Sequence, residues 1–144
     1  MLQANELRRL NYIIVEGKIH KIVSIDENKI GTKRHDQISD YPIYRNYLDA
    51  SWVEPIPLTE EILCNVKQFS HTHISKYRIN ICFMNNKEGV CTFKQNLLQT
   101  YLYCDFKRNV FYIKHNNQKI FIQYLHDLQN KIFYLLGYEL QIEL

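Results

Sequence analysis

Residues 124–144, YLHDLQNKIFYLLGYELQIEL, change period once, at Gly137, and that change decides the fold. Before the glycine, Leu125, Leu128, Ile132 and Leu135 follow Phe121 at steps of four, three, four and three, which aligns them on one stripe of a helix. Traced backward, the pattern predicts a closing helix over HNNQKIFIQYLHDLQNKIFYLLG, residues 115–137, with Asn116 or Asn117 as its N-cap. Gly137 suits the left-handed position that ends such a helix. Beyond it, Tyr138, Leu140, Ile142 and Leu144 alternate with Glu139, Gln141 and Glu143, the pattern of a strand with one buried and one wet face.

Working outward, WVEPIPLTEEIL at 52–63 marks a boundary. Pro55 and Pro57 exclude both a helix and a central strand. Thr59 is a good N-cap, and Glu60 and Glu61 sit where the helix dipole favours negative charge. The helix that follows is expected to run through Ile62, Leu63 and Val66 and to fade near Phe69. Upstream, YIIVEGKIHKIVSID at 12–26 reads as a hairpin turning at Glu16-Gly17, with Ile19, Val23 and Ile25 on one face of its second strand. Further short strands are expected at 29–34, 41–48 and 51–54. Downstream, KYRINICFM, GVCTFKQN, LLQTYLYCDF and NVFYIKH are separated by the turn signals NNKEG and KRN, the spacing of an antiparallel meander. The expected fold is α+β. Residues 1–57 are expected to form a small, strongly bent antiparallel sheet or SH3-like barrel, and residues 58–144 to add a linking helix and a meander closed by the last helix and strand.

Composition narrows the class. Hydrophobic residues make up 46% and charged residues 23% of the 144, ordinary for a soluble globular chain. Eleven tyrosines favour pleated, half-buried surfaces. No run reaches the roughly 20 apolar residues of a membrane span, and the first residues carry no secretory pattern, so a cytoplasmic protein without membrane partners is expected. Cys64, Cys82, Cys91 and Cys104 are spaced by 18, 9 and 13 with no CxxC pair and read as reduced thiols.

Charge is uneven. Residues 1–57 balance 8 basic against 8 acidic side chains, whereas 67–119 carry 9 Lys/Arg opposed only by Glu88 and Asp105. Aromatic residues are interleaved with them. Cations that track phosphates beside rings that stack on bases are one way to hold single-stranded nucleic acid. The candidate contacts are Lys76, Arg78, Lys94, Tyr101, Tyr103, Lys107, Arg108 and Lys114. The competing reading makes the rings core and the lysines a solvated face, and the net charge of only +3 favours it.

Catalytic and metal signals are thin. His71 and His73 form an HxH pair without the further ligands a zinc site needs, and read as loop histidines. His126 and Asp127 are neighbours that do not face each other on a helix, and His126 reads as a boundary or capping residue. Four scattered glycines leave no phosphate loop, dinucleotide fingerprint or nucleophile elbow. No cofactor, metal or catalytic residue is expected, and an enzyme, such as a small hydrolase, is the least favoured class.

Three stretches resemble a known group: NELRRLNYIIVEGKIHKIVSID, VEPIPLTEEIL and YLHDLQNKIFYLLGYELQIEL. They are similar to small uncharacterised proteins of Bacteroidetes genomes, prophages and related phages, which pair an "ELRIGNYV…G…V" hairpin with "PIPLTEE(W/I)L" and end in "(Y/V)HQLQNLYFALTGEEL". Leu58, Thr59, Glu60, Glu61 and Leu63 fit the central pattern; His126, Leu128, Gln129, Asn130, Gly137, Glu139 and Leu140 fit the last. Leu10 stands where the pattern has glycine, Asp127 replaces Gln, and Tyr138 replaces Glu. The resemblance implies a phage or mobile-element setting and brings no catalytic residue. The expected function is a non-enzymatic accessory or interaction protein that binds nucleic acid through the basic aromatic sheet. The alternative is a protein-binding factor that captures a host or defence protein. The residues do not specify an oligomeric state.

Overall fold

The computed structural model describes residues 2, 4–27, 29–35, 48–49, 52–67, 69–70, 78–81, 83–84, 91–92, 101–105 and 108–144. The fold is α+β. Two compact units are present: Met1–Pro57 with Tyr124–Glu139, and Leu58–Gln123 with Leu140–Leu144.

In the first unit, β1 (Tyr12–Val15), β2 (Lys18–Asp26), β3 (Lys29–Arg34) and β4 (Leu48–Asp49) form an antiparallel sheet in that order. Glu16 and Gly17 both take positive φ, 49° and 74°, the two-residue turn whose twist matches a hairpin. The register slips between Ile22 and Ser24, opposite Gly31, where a Cβ would overlap the Ser24 hydroxyl. This irregularity corrects the expected facing of β2: Ile22 is the fully buried residue, while Ile19, Val23 and Ile25 are half-buried. Ile22 joins Leu2, Leu7, Ile13, Val15, Ile30 and Val53 in the core. On the other side of β1, Ile14 and Glu54 exchange backbone hydrogen bonds of 2.9 Å each, an isolated bridge where a strand at 51–54 was expected. No closed barrel is present among the described residues, and 41–47 lie outside them.

Helix α2 (Leu125–Leu136) belongs to this unit. Leu125, Leu128 and Ile132 are fully buried, the expected stripe. The Asp127 carboxylate accepts the Tyr124 N–H at 3.4 Å, and Gly137, at φ 72°, closes the end by donating to the Phe133 carbonyl at 2.8 Å. The start, however, lies later than the periodicity predicts. Asn116 and Asn117 are not caps: both are left-handed, φ 48° and 63°, and turn a hairpin between β10 (Val110–His115) and β11 (Gln118–Ile122). Phe121 leaves the helical stripe and is 68% exposed on β11.

In the second unit, α1 (Glu60–Cys64) starts on Thr59, whose hydroxyl accepts the Ile62 N–H at 3.3 Å. It stops well short of Phe69, which opens β5 (Phe69–Ser70). The stop has a partner: Val66 bridges Ile142, Lys67 N–H donates to the Gln141 carbonyl, and Glu143 N–H donates to Asn65. The closing residues therefore pair extended with 65–67 instead of forming a long strand. Leu140 and Ile142 point inward as expected, but Tyr138 is 44% exposed. The main sheet runs β11-β10-β9-β6-β5, with β6 at Arg78–Ile81 and β9 at Tyr101–Asp105. β7 (Phe83–Met84) and β8 (Cys91–Thr92) pair separately. The simple meander is corrected accordingly: the β7–β8 hairpin branches off, and β6 pairs with β9.

Candidate nucleic-acid interface

Register builds the site. On β9, β10 and β11 the residues Leu102, Cys104, Phe111, Ile113 and Ile122 are buried. The intervening positions make the other face, since side chains alternate along each strand. Tyr103 pairs with Tyr112, and Tyr112 with Phe121, so three rings cross three adjacent strands in one row. Tyr103 and Tyr112 are stacked, with centroids 4.6 Å apart and planes at 13°. Phe121 meets Tyr112 at 63° and 5.6 Å. The Lys119 ammonium lies over the Tyr112 ring, 5.0 Å from its centroid, within cation–π range. Next along the strands, Lys114 pairs with Lys119.

Of the eight candidate contacts, Tyr103 and Lys114 fall on this face. In backbone register, Tyr101 is opposite Lys114 and Arg78 opposite Tyr103. Arg108 sits apart, just before β10, highly exposed and 3.9 Å from the Asp105 carboxylate. Lys76, Lys94 and Lys107 lie outside the described residues, as do His71 and His73. The sequence reading missed Phe121 because helical periodicity claimed it, and with it Lys119 as a facing cation. The signal available was the Asn116-Asn117 pair between two alternating runs. The choice between exposed and core rings resolves residue by residue: Phe111 is buried, Tyr103 and Tyr112 are half-buried, and Phe121 is exposed.

His126 and Asp127 need a correction. Their side chains do meet, Nε2 to Oδ1 at 3.3 Å, because Asp127 turns back to cap Tyr124. The imidazole is 2% exposed, stacks on Tyr124 and has no partner for Nδ1 among the described residues. Burial lowers its pKa, and Asp127 and Glu6 oppose that. Closed off from solvent, it serves the core and not a boundary. The other residues of the resembled pattern are ties as well. Gln129 accepts the Tyr12 N–H at 2.9 Å and donates to the Leu10 carbonyl at 3.0 Å. Asn130 bonds Arg8, Asn11 and the Glu6 carbonyl, and Glu139 forms a two-pronged ion pair with Arg8.

Cys104 is buried, which pushes its thiol up to about 12, and Cys64 is exposed; both are free. Among the described residues no three His, Cys, Asp or Glu side chains gather as a metal site, and no helix is long and apolar enough to cross a membrane. No family model, curated protein or solved structure matches the chain.

Proposed function

We propose that this chain is a non-enzymatic accessory protein of a phage or prophage that binds single-stranded nucleic acid across β9, β10 and β11. The observation that carries the reading is the row Tyr103, Tyr112 and Phe121 with Lys114 and Lys119 beside it, on the face opposite the buried residues. Rings on an open sheet stack on unpaired bases of any sequence, and flanking cations follow the backbone. The 9-to-2 excess of basic over acidic residues between 67 and 119 supplies the matching field. The phage setting, with action in the host cytoplasm, rests on the resembled patterns at 5–26, 53–63 and 124–144. An SH3-like character for the first unit is supported by the order β1-β2-β3-β4 and by the Ile14–Glu54 bridge flanking β1.

Fluorescence anisotropy with labelled single-stranded DNA, duplex DNA and RNA, each across a salt series, tests the reading. Single strands are expected to bind more tightly than duplex, with log affinity falling linearly as log salt rises. An absence of single-strand binding at low salt would sink it. Capture of a host protein is the second reading; Trp52 and Tyr134, 70% and 76% exposed in the first unit, are the rings such a contact would use. Co-purification of one defined protein that survives nuclease treatment would support that alternative; its loss on nuclease treatment would return the case to nucleic acid.

A further inference from the structure

The three rings of the row are not equivalent. Tyr103 and Tyr112 already stack on each other at 4.6 Å, and Lys119 lies over Tyr112. Phe121 contacts its neighbour only at a steep angle and keeps 68% of its surface in solvent. Beside it, Lys114 and Lys119 are direct cross-strand partners. Both lysines belong to the face that carries the ring row, so a phosphate there meets two cations on adjacent strands. Lys119 and Phe121 lie two residues apart on β11, hence on one face and about 7 Å from each other along the strand.

We propose that Phe121 is the stacking platform for one unpaired base and that Lys114 and Lys119 together seat an adjacent phosphate, with the Tyr103–Tyr112 pair packed beside the platform. The inference rests on the nucleic-acid reading and deepens it: the ligand is a single strand held through one base and its flanking phosphate. The stack is indifferent to sugar identity, so DNA and RNA single strands serve equally.

The test compares a labelled oligothymidylate with an abasic strand of equal length, which keeps the phosphates and lacks the bases. Phe121→Ala is expected to weaken oligothymidylate binding about 10-fold and to leave abasic binding within about twofold, with Phe121→Tyr restoring the loss. Lys119→Ala is expected to weaken both strands alike and to lower the salt slope by about one. Equal losses on both strands for Phe121→Ala, or no loss on either, would overturn the platform while leaving nucleic-acid binding standing. Failure of the unaltered protein to bind either strand would remove the underlying reading with it. Because Phe121 is exposed, an unchanged thermal melt is expected for its variants, which separates lost binding from lost fold.

Discussion

At Leu10 the backbone is left-handed, with φ of 73°, a conformation that costs an L-residue about 1–2 kcal/mol. Its N–H donates to the Ile22 carbonyl and its own carbonyl accepts from Gln129, so the surroundings impose the strain. The side chain is 36% exposed, so its removal also gives up apolar burial worth about 1 kcal/mol. Leu10→Gly should therefore relieve the strain but return that gain to lost burial and, by about 0.5–1 kcal/mol, to glycine's freedom when unfolded. Urea unfolding is expected to show a change within about 1 kcal/mol for Leu10→Gly and a clear fall for Leu10→Val, whose β-branching suits positive φ worse. His126 makes a pH statement. Its folded pKa lies below the ordinary 6.5 because burial disfavours the charged ring. The unfolded chain thus takes up a proton near pH 6.5 that the folded chain refuses until lower pH. Stability present above 6.5 is lost as the pH falls from there toward the folded pKa. Thermal melts from about pH 7.5 to about pH 5 should drop more steeply for the unaltered protein than for His126→Gln; parallel profiles would mean that other groups carry the acid sensitivity.

Among the elements, α2 was legible where packing and caps agree: Leu125, Leu128 and Ile132 are buried and Gly137 is the left-handed end. Its start was not legible, because Ile120 and Phe121 satisfy a helical stripe as well as a strand's alternation, and only the two left-handed asparagines break the tie. Asn117→Gly should stabilise that hairpin by about 0.5–1 kcal/mol, since Asn-Gly is the preferred pair for such a turn; an unchanged urea midpoint would argue against the assigned turn. Thr59 was legible as a cap, yet the length of α1 was not, because residues 65–67 bond to 141–143, far along the chain. Gln129 illustrates the same limit. Nothing local tells that its amide satisfies both Tyr12 and Leu10. Gln129→Leu keeps the volume but strands the buried Tyr12 N–H, for an expected loss of about 2–3 kcal/mol by denaturant unfolding.

For the molecule as a whole, both units are discontinuous in sequence. The proline-rich stretch near residue 57 marks where the chain leaves the first unit, but composition alone does not reveal that it returns at 124. The return is visible in the hydrogen bonds: Leu125 N–H donates to the Ile56 carbonyl at 2.8 Å, and Pro57 bridges Tyr124. Gln129 and Asn130 of α2, and Glu139 just beyond it, then tie this return to residues 6–12. A fragment of residues 1–57 lacks these partners and the apolar stripe of α2, and a chain of this length is marginal even with its core complete. It is expected to give no cooperative melt by circular dichroism. Because Pro57 and Tyr124 are adjacent in space, a short Gly-Ser linker can join them and omit residues 58–123. The spliced chain of 1–57 and 124–139 should melt cooperatively and lose that transition with Gln129→Leu. A cooperative melt from 1–57 alone would mean that the sheet is self-sufficient and that α2 is an attachment to it.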